Sequence, residues 1–143
     1  MKQLFIIESP LQLLNAYEAL KTFPADEQII IVRYSGVLIN DEQIKQTLIK
    51  LELFKLAKIK YVLINVVKRT NVDFIKMLCL KLFYFFSTRF YKTIFIGNYE
   101  SKFIRFIIPF NKNKIILLDD GNLTLKIQET FTKKKIFQLV HRF

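Results

Sequence analysis

Glycine, proline, cysteine and histidine are all scarce in this chain of 143 residues, which holds 3 Gly, 3 Pro, 1 Cys and 1 His. Gly36, Gly97 and Gly121 stand far apart. There is thus no Gly-x-Gly-x-x-Gly turn and no Walker loop, which argues against nucleotide binding through a glycine-rich first turn. The lone Cys79 excludes an internal disulfide and a multi-cysteine zinc site, and its place inside an apolar run reads as a buried packing residue. His141 sits in a loosely patterned stretch and reads as a surface residue. No Ser-His-Asp set can be assembled around it, and neither a metal nor a cofactor is expected. No internal repeat, low-complexity tract or linker is visible. The first apolar run, Leu4 to Ile7, ends at Glu8 and is too short for a secretory signal. Cytoplasmic residence is the resulting expectation.

What is abundant is apolar surface and positive charge. Apolar residues make up 52% of the chain and 15 of them are Phe, so one domain with a real core is expected. Residues 1–53 hold 5 Lys/Arg against 7 Asp/Glu, whereas residues 54–143 hold 18 against 5, within a formal net charge of +11. A basic half suits an anionic partner: nucleic acid, anionic lipid or an acidic glycan. No zinc-finger, RNA-recognition or helix-turn-helix pattern accompanies it, so no specific nucleic acid partner is expected.

Five β-branched apolar runs read as strands: Gln3–Ile7, Gln28–Tyr34, Ile59–Val66, Lys92–Ile96 and Lys114–Leu118. Helical patterns lie between them, the alternation of a parallel sheet with crossover helices. Ser9 as N-cap and Pro10 at the first helical position open one helix, with Leu13, Ala16, Tyr17 and Leu20 at helical spacing. Asn40 followed by Gln43 resembles a capping box for a second, along which Ile44, Leu48, Leu51 and Lys55 fall on one side. A third, about Asn71 to Ser87, is apolar around nearly its whole circumference, so it is either core or in contact with a membrane. It is too short to span a bilayer. Its flanking Lys68, Arg69, Arg89 and Lys92 resemble an interfacial anchor. A fourth runs from Glu100 to Ile107, stopped by Pro109. The predicted fold is α/β, a Rossmann-like parallel sheet of about five strands with flanking helices. It occupies residues 1–125, followed by a basic, loosely patterned tail over residues 126–143.

In a parallel α/β sheet, ligands bind beyond the carboxyl ends of the strands. Glu8-Ser9, Tyr34-Ser35-Gly36, Gly97-Asn98-Tyr99 and Asp119-Asp120-Gly121 would line that edge. The stretch Ile115-Ile-Leu-Leu-Asp-Asp-Gly121 carries the most chemistry. A buried strand stops at two adjacent carboxylates, whose mutual repulsion raises the pKa of at least one and suits a general base. Gly121 lets the backbone turn there. A plain turn bearing solvated aspartates is the alternative.

Three segments, in order and spacing, resemble a known family: Glu8-Ser-Pro-Leu-Gln-Leu-Leu-Asn15, Ile96-Gly-Asn-Tyr-Glu-Ser101 and Leu118-Asp-Asp-Gly121. They look like the N-terminal half of bacterial sialyltransferases of the lipooligosaccharide sialyltransferase and capsule polysialyltransferase type. The resemblance implies one half of a GT-B glycosyltransferase, the acceptor-side domain of an enzyme that transfers sialic acid from CMP-sialic acid with inversion and without a required metal. It implies Asp120 as the catalytic base with Asp119 beside it, and Ser9, Gln12, Gly97, Asn98 and Gly121 as acceptor-binding positions. The family's His-Pro motif has no counterpart among these residues, because Arg142 follows His141, and no donor-binding domain is expected within them. The expectation is a truncated or split sialyltransferase-like domain, inactive by itself and completed by a donor domain. Its partners would be a glycan or glycolipid acceptor and a peripheral membrane surface. A non-catalytic remnant, or a binding module for an acidic glycan or anionic lipid, is the alternative.

Overall fold

The computed structural model describes residues 1–64, 71–87, 90–108 and 114–118. Five strands form one parallel sheet: β1 Lys2–Ile7, β2 Glu27–Tyr34, β3 Lys58–Leu63, β4 Thr93–Ile96 and β5 Lys114–Leu117, in spatial order β3-β2-β1-β4-β5. The helices are α1 Pro10–Thr22, α2 Leu38–Lys50, α3 Leu53–Leu56, α4 Asn71–Ser87 and α5 Lys102–Ile107. The chain is a Rossmann-like α/β fold. Strand order runs outward through β2 and β3, then restarts on the other side of β1 with β4, which makes the β1/β4 junction a topological switch point.

Side chains alternate across the strands and build a core on each face. Phe5, Ile7, Ile30, Val32, Phe95 and Ile116 pack against Leu13, Ala16 and Leu20 of α1 and Ile44 and Leu48 of α2. Phe5 and Phe95 are register partners whose rings stack at 4.3 Å and 4°. On the opposite face Leu4, Ile6, Ile31, Ile94 and Ile96 meet Phe103 and Ile104 of α5, with Met77 and Leu80 of α4 packed against them.

Several expectations need correction. The second helix starts at Leu38 with Val37 at its N-cap and no side-chain cap, so Asn40 is not the cap and Asn40–Gln43 is no capping box. Asn40 instead reaches back to the β1 end, where its Nδ2 donates to the Glu8 carbonyl at 3.3 Å. Lys55 lies outside α2 on the four-residue α3, beyond a left-handed Glu52 at φ 49°. The third strand ends at Leu63, short of Val66. Cys79 is exposed, not buried; of the described side chains of α4 only Asp73, Met77 and Leu80 are buried or half-buried. Helix α4 is therefore not core all round. Among the described residues no helix is long and apolar enough to cross a membrane. Lys68, Arg69, Arg89 and Pro109, like the tail over 126–143, lie outside the described residues.

Candidate functional site

The parallel sheet brings the ends of β1, β2 and β4 to one edge, and each loop there is held by its own side chains. Ser9 caps α1, its Oγ accepting from the Gln12 N–H at 3.3 Å, with Pro10 at the first helical position. The cap places Gln12, which is 3% exposed, so that its side chain turns back toward β1. Its Oε1 accepts from the Glu8 N–H at 2.8 Å. The same carboxamide lies across Gly97, where a Cβ would stand 2.1 Å from Gln12 Cδ and 2.2 Å from Oε1. Gly97 thus serves close approach: any side chain would displace Gln12.

Glu8 joins three elements. Its N–H is taken by α1, its carbonyl by Asn40 of α2, and its carboxylate by Arg33 of β2. Ile7 pairs with Val32, so the residues that follow, Glu8 and Arg33, fall side by side. Their side chains are 12% and 13% exposed. The Arg33 guanidinium lies 5.1 Å from the Phe103 ring centre, and its Nε is buried without a hydrogen-bond partner among the described residues. Such a pair is specific in geometry but expensive to break from one side.

At the end of β2, Asp41 fills the loop that leads into α2. It accepts from the Ser35 N–H at 2.9 Å, the Ser35 hydroxyl at 3.1 Å and the Gly36 N–H at 2.8 Å. Gly36 has φ 82°, a conformation that favours glycine. A concavity of backbone N–H groups would otherwise attract an anion; here the protein's own carboxylate occupies it. Beside it Tyr34 stacks on Tyr61 at 5.6 Å. Burial, then Tyr61 and Asp41, push the Tyr34 hydroxyl above its ordinary pKa, so it stays a protonated donor at neutral pH. After β4, Asn98 Oδ1 accepts from the Glu100 N–H at 2.9 Å, and Ser101 caps α5 by accepting from the Ile104 N–H at 3.4 Å.

The switch point thus unites Ser9, Gln12, Gly97 and Asn98. Pairing of β5 beside β4 continues to Leu118, whose N–H donates to the Ile96 carbonyl at 2.8 Å. Asp119, Asp120 and Gly121 lie outside the described residues. Sequence reasoning did not single out Arg33, Asn40 or Asp41 as parts of this edge. The available signal was a charged residue directly after the apolar run of β2, opposite Glu8. Among the described residues no group of three or more His, Cys, Asp or Glu could hold a metal ion. No protein-family model, curated protein or solved structure matches the chain. The family resemblance accordingly rests on the motifs alone.

Proposed function

We propose that this chain is the acceptor-side domain of a sialyltransferase-like glycosyltransferase of GT-B type, with Asp120 as base. The observation that carries the reading is the meeting of two motifs distant in sequence, Glu8–Gln12 and Gly97–Asn98, through Gln12 lying over Gly97 at the switch point. Ligands of open α/β sheets bind at such points. Two other carboxylates at this edge are engaged: Glu8 is paired with Arg33, and Asp41 accepts from backbone N–H groups. Neither is available to take a proton from an acceptor hydroxyl. Asp120 would take it as the oxygen attacks the anomeric carbon of the donor sugar. The proposed setting is the cytoplasm, peripheral at the inner face of the cytoplasmic membrane, where a glycolipid acceptor would reside.

Within these residues the family's His-Pro pair is missing, so CMP-sialic acid would be held by a donor-side domain supplied in addition. The test is a transfer assay with CMP-sialic acid and a panel of glycans, run on the chain alone and on the chain mixed with a donor-side domain. Transfer is expected only in the mixture. Turnover by the chain alone would remove the need for a second domain. Absence of both transfer and acceptor-induced NMR shifts at Asn98 and Gln12 would sink the acceptor-side reading.

A further inference from the structure

We infer that the outward face of α4 is a docking surface for an anionic lipid bilayer. Phe74, Ile75, Leu78, Leu82 and Phe86 are between 42% and 64% exposed. At 100° per residue all five fall on the side of the helix opposite Asp73, Met77 and Leu80. An apolar stripe of that size on a helix is an interaction surface.

Charge identifies the occupant. Lys60, Lys76, Lys102 and Arg105 are all exposed on this layer. Lys102 and Arg105 form the outward side of α5, whose Phe103 and Ile104 enter the same core as Met77 and Leu80. Lys60 Nζ lies 5.6 Å from the Phe83 ring centre, at the β3 border of α4. The one carboxylate of α4, Asp73, is buried, and Glu100, exposed before α5, is the nearest acidic residue in the sequence on the α5 side. A second copy pressed on this face would oppose two sets of these cations in a chain of net charge +11. A bilayer of anionic lipid attracts them. A protein partner would also call for about one hydrogen bond per 100–200 Å². Among the described side chains the stripe is hydrocarbon save for Asn71 and Cys79 on the same side, and acyl chains require no such partners. The 17-residue helix spans about 25 Å at 1.5 Å per residue, shorter than a bilayer core. It would lie in the membrane plane, with the bordering lysines extending toward headgroups.

The inference deepens the peripheral placement proposed above and rests on it, but its test contains no glycan, so failure of the transferase reading leaves it standing. The chain has no Trp, so Phe74→Trp supplies a single reporter. Its emission should shift to the blue and be quenched by brominated lipid with vesicles of phosphatidylcholine mixed with phosphatidylglycerol. Phosphatidylcholine alone should do far less. Lys102→Gln with Arg105→Gln should weaken partitioning about 25-fold, at roughly fivefold per charge. Leu78→Ser with Leu82→Ser should abolish it while circular dichroism stays native, since neither side chain enters the core. Equal binding to both vesicle types, or none to either, would overturn the inference. So would a reporter already blue-shifted in buffer and untouched by brominated lipid, with a sedimenting dimer, which would assign the face to a second copy.

Discussion

Replacing Gly97 with alanine probes the centre of the candidate site with a single methyl group. The added Cβ would stand 2.1, 2.2 and 2.4 Å from Gln12 Cδ, Oε1 and Cγ. Gly97 has no positive φ, so backbone conformation contributes nothing to the effect and the whole cost is the collision. Gln12 is the group free to yield, since its side chain can rotate away, but doing so surrenders the 2.8 Å bond from the Glu8 N–H. Leaving that donor unsatisfied costs about 1–3 kcal/mol, and forcing a buried side chain off its packing costs a further ~1–3 kcal/mol. Gly97→Ala should therefore destabilise by about 2–6 kcal/mol, which at this chain length lowers Tm by roughly 2–4 °C per kcal/mol. Gln12→Ala removes the bond to the Glu8 N–H and leaves that donor unsatisfied, which costs about 1–3 kcal/mol. In that background Gly97→Ala has room, and its cost should fall nearly to zero. Urea unfolding of the four proteins gives the coupling energy, expected to equal nearly the whole cost of Gly97→Ala. If Gly97→Ala costs the same in both backgrounds, Gln12 is not what fills the space above Gly97, and the argument that the two motifs meet through this contact fails.

Three other outcomes are expected. Glu8→Leu or Arg33→Met alone should cost about 3–5 kcal/mol by stranding a charge in a mostly buried site, and the double substitution far less; equal losses in urea for all three would mean the pair is solvated. Glu27 is bonded by Lys2 at 2.7 Å and Lys58 at 3.0 Å, and these hold its carboxyl at about 2 instead of 4.5. A carboxyl with a depressed folded-state pKa stabilises above its unfolded value, so its contribution should be complete above pH 4.5 and lost as pH falls toward 2. Glu27→Gln should accordingly lower Tm at neutral pH, and the difference from the parent chain should close across that window in a pH series of thermal melts. In the reconstituted transfer assay, Asp120→Asn should lower the rate about 10²–10⁴-fold under saturating donor, with a smaller loss for Asp119→Asn. A larger loss for Asp119→Asn would move the base by one residue, and no loss for either would reduce the pair to a turn.

Local pattern carried the elements of this protein. The β-branched runs around Leu4–Ile7, Ile29–Val32 and Ile94–Ile96 became buried strands, and Ser9-Pro10 opened α1 as read, because backbone preference and burial write themselves into neighbouring residues. The sequence likewise marked Asn71–Ser87 as a helix and its apolar excess as unusual. Which side of that helix meets the sheet was decided by tertiary structure, since an all-round apolar surface contains no period to choose a face. The same holds for Asn40. Its local surroundings suit a cap, yet the folded chain offers it the Glu8 carbonyl from a strand far away in sequence. Strand order, the Glu8–Arg33 pair and the seat of Gln12 over Gly97 all depend on the register between β1, β2 and β4. Register is fixed by packing across the whole sheet, and no single segment encodes it.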